Sequence, residues 1–105
     1  MKKPWWAKKN EEKWEQLLFN YNLLTEIKKK NGELHCEYCG KPELKIYKWY
    51  ERLNKKDVAT VDHFLPKSQY PDLAKEPTNL IVCCDSCNNK KGDKLWEEST
   101  IKYRR

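Results

Sequence analysis

The segment TVDHFLPKS, residues 60–68, decides how this chain is read. It places one of only two histidines directly after an aspartate, late in an apolar run and shortly before a proline. Extended to VATVDHFL, its β-branched residues and partial alternation predict a strand, which Pro66 should end or confine to a sheet edge. The following PKSQYPDLAKEPT is a loop punctuated by Pro66, Pro71 and Pro77, and NLIVC predicts a second short strand. A helix is expected over about 85–97, N-capped by Asp85 or Ser86 and anchored by Leu95 and Trp96. The order strand, long loop, strand, helix leaves a cysteine pair at the last junction.

Upstream, Trp14, Leu17, Leu18, Tyr21 and Leu24 recur at three- and four-residue steps, which predicts an amphipathic helix over about 8–30, with the NG pair at 31–32 as its stop. Residues 36–40, CEYCG, form a tight knuckle. Residues 43–53, ELKIYKWYERL, suit a helix by spacing and a strand by aromatic content; the expectation leans to helix. No internal repeat or low-complexity segment is visible.

At 105 residues the chain is expected to be one domain, in a size range where the hydrophobic core is thin and a staple is useful. Hydrophobic residues make up 38% and charged residues 36%, a polar balance offset by five Trp and six Tyr that supply buriable surface. The net charge of +6 comes from 22 Lys and Arg against 16 Asp and Glu. That field favours a polyanionic partner, although lysine-rich surfaces also serve solubility alone. No continuous apolar leader or run of roughly 18 apolar residues is present, so secretion and membrane spanning are disfavoured and a cytoplasmic address is expected. There, five cysteines read as metal ligands before disulfides.

Cys36-x-x-Cys39 and Cys84-x-x-Cys87 are two knuckles whose thiolates can face one ion, completing a closed tetrahedral Zn²⁺ site that is structural because it leaves no open position. Such a site would tie the segment before the first strand to the start of the last helix. Cys83 is an alternative to Cys84, but it continues the strand and small thiols are commonly buried without a ligand role. His35, beside Cys36, could also substitute.

The residues that remain are Asp62-His63, Asn79 and Asn88. Phosphodiester hydrolysis needs a base for water, a hard cation on the phosphate, and ligands that hold the cation without saturating it. An Asp62 carboxylate and an Asn88 amide oxygen suit Mg²⁺ or Mn²⁺, which prefer oxygen donors. Asn88 would sit in the first turn of the last helix, where free N–H groups and the dipole favour an anion. Lys91 follows one turn later, able to neutralise a phosphate oxygen. An imidazole such as that of His63 can act as a base near neutral pH. Strand alternation would point the Asp62 and His63 side chains to opposite faces, so a bend at the strand end is required if both serve one site. Taken singly, an Asp-His pair is more often structural, and an Asn after Cys more often a cap.

In combination, CEYC, VDHFLPKSQYPDL and TNLIVCCDSCNNKKGDK, spanning residues 36–94, resemble the zinc-containing branch of the HNH, or His-Me finger, endonucleases. The resemblance implies an α+β fold, a small zinc-stapled ββα-metal domain with an N-terminal helix. One HNH domain would cover 1–105, with its core at about 34–97 and a basic tail at 98–105. It implies that Asp62 and Asn88 bind Mg²⁺ or a similar cation, that His63 activates water, and that Asn79 steadies the histidine by bonding its backbone. The motif's third letter is Asn88 and not histidine, which many family members share. The resemblance extends to stand-alone bacterial and phage proteins, some linked to anti-phage defence.

The expected function is therefore a metal-dependent endonuclease acting on nucleic acid, with DNA the expected substrate and 5′-phosphate and 3′-hydroxyl ends implied by the family. The rival reading is a non-catalytic zinc-ribbon module that binds nucleic acid; a protein-interaction zinc domain would leave the basic clusters unused. Nucleic-acid contacts are expected at Lys67, Lys90, Lys91 and Lys94, and in the tail at Lys102, Arg104 and Arg105. Trp5 and Trp6 could stack bases, with packing the plainer expectation. A monomer would nick one strand and a homodimer would be needed for paired cuts, with the N-terminal helix either the dimer contact or a cover for the core.

Overall fold

The computed structural model describes residues 2–105. A one-turn 3₁₀ helix at Trp5–Lys8 leads into α1, Glu11–Asn31. Its N-cap is Asn10, whose side chain accepts the Lys13 N–H at 3.1 Å, and its C-cap is Gly32 at φ 83°, a left-handed position that favours glycine. Glu11 and Glu12 in the first turn and Lys28–Lys30 in the last complement the helix dipole. The helix thus starts three residues later than its periodicity suggests, because Trp6 is spent on a separate turn that packs edge-on against Trp14 with ring centroids 6.1 Å apart.

Strands β1, Ala59–His63, and β2, Leu80–Cys84, pair antiparallel in the register Ala59↔Cys84, Val61↔Val82 and His63↔Leu80. Both lie where the apolar runs predict. β2 is buried along its whole length and forms the centre of the core with Leu24, Leu34, Tyr38, Leu44 and Ala59. Helix α2, Asp85–Lys91, follows β2 without a loop. It is capped by Cys84, whose sulfur accepts the Cys87 N–H, and not by Asp85 or Ser86. It stops at Lys91 and not near residue 97, because Gly92 takes φ 51° and turns the chain away. Leu95 is consequently exposed, and Trp96 packs outside any helix, edge-on to Tyr38 at 5.0 Å.

Residues 43–53 are not the expected helix. Lys45 instead bridges Val58 in parallel and exchanges backbone bonds with Asp57 and Ala59, extending the edge of the β-ribbon. Leu44 is buried, Ile46 packs on the core, and Tyr47 donates to Asp57 at 2.7 Å. Backbone pairing to a ready strand edge outweighs a periodicity that no helical cap supports.

The tail is no free basic arm. Glu37, buried in the first knuckle, receives the Val82 N–H at 2.7 Å and the Arg105 guanidinium at 2.8 Å, while Arg105 also donates to the Leu80 and Pro77 carbonyls. The Tyr103 N–H bonds the Glu37 carbonyl, and its ring lies against Gly40, where a Cβ would meet ring atoms at 3.0 Å. Among the described residues no helix is long and apolar enough to cross a membrane.

Candidate active site and metal centre

The ligand atoms of Cys36, Cys39, Cys84 and Cys87 all lie within 4.8 Å of one another. Cys39 Sγ and Cys84 Sγ are 3.7 Å apart. Four sulfurs tetrahedrally placed at about 2.3 Å from a zinc ion are separated by about 3.8 Å, so the donor set fits Zn²⁺ in kind, number and spacing. Within each knuckle a backbone N–H, of Cys39 or Cys87, approaches the first sulfur at 3.4 or 3.5 Å, a contact that stabilises a thiolate. Burial, followed by the hydrogen bonds with Cys84 and Cys39, pushes the Cys87 thiol well up, as expected for crowded sulfurs whose charge calls for a cation. Cys83 stands outside this group, fully buried, with its sulfur 3.2 Å from the Thr60 hydroxyl. His35 is also elsewhere, its Nε2 donating to the Tyr103 carbonyl at 2.6 Å.

Across the β-ribbon, Thr60 and Asp62 occupy one face of β1, the face that α2 covers. Asn88 Nδ2 lies 3.0 Å from Thr60 Oγ1, which in turn donates to the Cys83 carbonyl at 2.8 Å. With its proton committed, the hydroxyl can only accept from Asn88, which fixes the amide with nitrogen toward Thr60 and leaves Oδ1 free of this chain of bonds. One helical turn on, Lys91 Nζ lies 3.2 Å from Asp62 Oδ2 and donates to the His63 carbonyl at 3.0 Å.

Asp62 is 5% exposed and receives a second bond on the same oxygen, from the Tyr38 hydroxyl at 2.6 Å. No protein donor bonds its Oδ1, and among the described residues no buried side-chain oxygen lacks a partner, so Oδ1 reaches solvent. Burial pushes the Asp62 carboxyl up, opposed by the Tyr38 hydrogen bond and the Lys91 ammonium, which favour the ionised form. Burial and the bond to Asp62 push the Tyr38 phenol far up, so it stays a donor. The carboxylate is therefore held by one oxygen and presents the other.

His63 ends β1 still paired with Leu80, and the chain bends only after it, at Phe64–Leu65, so the bend expected to turn both side chains to one site does not fall between Asp62 and His63. The His63 Nε2 lies 2.9 Å from the Ala74 carbonyl. A carbonyl only accepts, so Nε2 is the donor, and in a neutral ring the lone pair then falls on Nδ1. The same carbonyl receives the buried Gln16 side chain of α1 at 3.0 Å. Asn79 does not bond the His63 backbone. Its side chain receives the Leu65 N–H at 2.9 Å and donates to the Leu65 and Leu73 carbonyls, because the main chain already pairs Phe64 N–H with Asn79 O and brings residue 65 level with the amide. It ties Leu65 to Leu73, the residue before Ala74.

The structure thus brings Asp62, Asn88 and Lys91 to one face, with His63 tied to them through its carbonyl. Lys91 is not at the surface with the other expected phosphate contacts: it is 0% exposed. Lys90 and Lys94 are exposed, and Lys67 is half-buried beside Glu12 at 3.6 Å. Sequence reasoning missed Tyr38, Thr60 and Gln16. Thr60 had a signal, its two-residue spacing from Asp62; Tyr38 was hidden as a spacer inside CEYC and Gln16 as a polar letter in a helix.

A sequence model of the HNH endonuclease family matches residues 36–94. The Septu protein PtuB of Bacillus thuringiensis is 53% identical to this chain over 32 residues, 30% of this chain and 12% of that protein. The chain therefore aligns with about an eighth of that bacterial relative's length. No solved structure matches.

Proposed function

The chain belongs to the HNH endonuclease family, and from that premise we propose that it hydrolyses phosphodiester bonds in DNA. His63 is the general base, with Nδ1 as the accepting atom. Asp62 Oδ1 and Asn88 Oδ1 are the oxygens that would hold Mg²⁺ or Mn²⁺, and their hard, incomplete donor set fits such a cation. A cation held there supplies Lewis-acid stabilisation of the phosphate and of the departing oxygen.

In the reaction His63 Nδ1 takes a proton from water as the water oxygen bonds to phosphorus in line with the breaking P–O3′ bond. The 3′-oxygen leaves with the bonding pair and is protonated from solvent, giving the 5′-phosphate and 3′-hydroxyl ends that the family resemblance implies. Ala74 and Gln16 keep Nε2 engaged, so the accepting lone pair is aimed and not rotating. Tyr38 and Lys91 hold Asp62 Oδ2, Thr60 holds Asn88 Nδ2, and the four cysteines, as thiolates, would hold a structural zinc. Exposed Lys90 and Lys94 are the nearest candidates for phosphate contact.

The observation that carries this reading is the commitment of His63 Nε2 to a backbone carbonyl, which defines a single free nitrogen on the base. The test is incubation of wild type and His63→Ala with supercoiled plasmid, single-stranded DNA and RNA, in Mg²⁺, Mn²⁺ or chelator. Wild type should nick DNA only with a divalent cation, and His63→Ala should keep its zinc and DNA affinity while nicking falls by about 10²–10⁴-fold. Unchanged nicking by His63→Ala would remove His63 from the role of base, and a wild type that nicks nothing under any of these conditions would return the chain to the non-catalytic zinc-ribbon reading.

A further inference from the structure

We propose that a groove on the N-terminal side of the molecule binds unpaired bases of single-stranded nucleic acid. This rests on the nucleic-acid reading above and adds a site that the nuclease constellation does not contain. The groove is lined by Lys2, Lys3, Pro4, Trp5, Trp49 and Tyr50 and encloses about 540 Å³. That lies within the range of pockets that hold small ligands, roughly 300–1,000 Å³, and is ample for a nucleotide.

Three features point to this occupant. The first is an aromatic surface left open at a cost: Trp5 is 79% exposed and Tyr50 47%. Its neighbour Trp6 is half-buried between Trp14 and Trp49, with ring centroids at 6.1 and 6.2 Å, so the adjacent tryptophans have separate tasks, one packing and one facing outward. The second is that the walls are held in place. Trp49 Nε1 donates to the Lys2 carbonyl at 3.1 Å, joining the two chain segments that form the groove, and Trp49 and Tyr50 brace each other edge-on at 5.3 Å. The third is charge. The lining includes two lysines and no acid, and Lys9 lies over the Trp5 ring at 5.8 Å.

Aromatic faces beside ammonium groups match the two parts of a single strand, flat bases and a phosphate backbone. A duplex withholds its base faces from these rings, since its bases already stack on one another. An apolar protein segment would use the rings and leave the lysines without partners.

The experiment uses the full zinc-loaded chain with His63→Ala to prevent cleavage. Tryptophan fluorescence is followed during titration with oligothymidylate and with a duplex of matched length, for the parent and with Trp5→Ala or Tyr50→Ala added. Oligothymidylate should quench the fluorescence, and each added substitution should weaken single-strand binding by roughly 5- to 100-fold while changing duplex affinity less than twofold. Equal weakening for both ligands would overturn the proposal and make the surface a general electrostatic one. So would single-strand binding that survives both substitutions, or a parent that binds only the duplex. Trp5 is so exposed that its removal should leave the fold intact, and circular dichroism with zinc content verifies this. Plasmid nicking by the chain with His63 restored reports separately on the catalytic reading.

Discussion

At the residue scale the site depends on which atom of each group is left over. Asp62 has one oxygen bound twice, His63 one nitrogen bound to a carbonyl that also accepts from Gln16, and Asn88 its nitrogen bound to a threonine. The Asp62, His63 and Asn88 candidates were legible in the sequence because chemistry restricts which residue types can act as base and hard ligand. Their partners were not, since Tyr38 and Gln16 are common residues whose role exists only through distant contacts. Tyr38→Phe removes one oxygen and keeps the ring that packs on Trp96. It should reduce the nicking kcat by about 10–100-fold, with KM for DNA and zinc content unchanged, as supporting groups behind metal ligands typically do. Lys91 separates two readings of one residue. Lys91→Ala leaves a buried carboxylate without its ammonium and should cost about 3–5 kcal/mol, read as a large fall in melting temperature. Lys94→Ala should leave melting unchanged and reduce the salt dependence of DNA binding by about one charge.

At the element scale α1 does more than cover the core. It carries Gln16 to Ala74 and so shares a carbonyl with His63, the proposed base, 47 positions further along the chain. Gln16→Met should preserve the helix and DNA affinity yet slow nicking about fivefold, the equivalent of one ordinary hydrogen bond in the barrier, in single-turnover assays. The β-ribbon was readable because two apolar runs lie between proline-rich and charged breaks, and because a ladder with one buried strand fixes its own register. Residues 43–53 were misread because their pairing partner, the edge before β1, is supplied by tertiary contact. Helix α2 was overextended because Gly92 stops it without a proline, and Leu95 and Trp96 happen to continue the apolar spacing.

At the scale of the whole molecule, two knuckles 45 residues apart are joined where Cys39 meets Cys84, and the tail is pinned to the first knuckle by Glu37 and Arg105. The cysteine spacing announced the staple, whereas the tail's docking could not be read from a basic run that looks solvated. Strong chelation, or Cys36→Ser, should release the zinc and abolish cooperative unfolding, as measured by a colorimetric zinc assay and thermal circular dichroism. Arg105→Ala should destabilise by about 3 kcal/mol, because Glu37 would stay buried with its charge uncompensated. Tyr38 gives the staple a further meaning, since it lies between the clustered Cys36 and Cys39 while its hydroxyl bonds Asp62. A descendant of this chain that exchanged its knuckles for an apolar clasp would keep its shape and leave the carboxylate to Lys91 alone. The cysteines and Asp62 are therefore bound to a common evolutionary fate, and a lineage can relinquish the first only after finding another donor for the second.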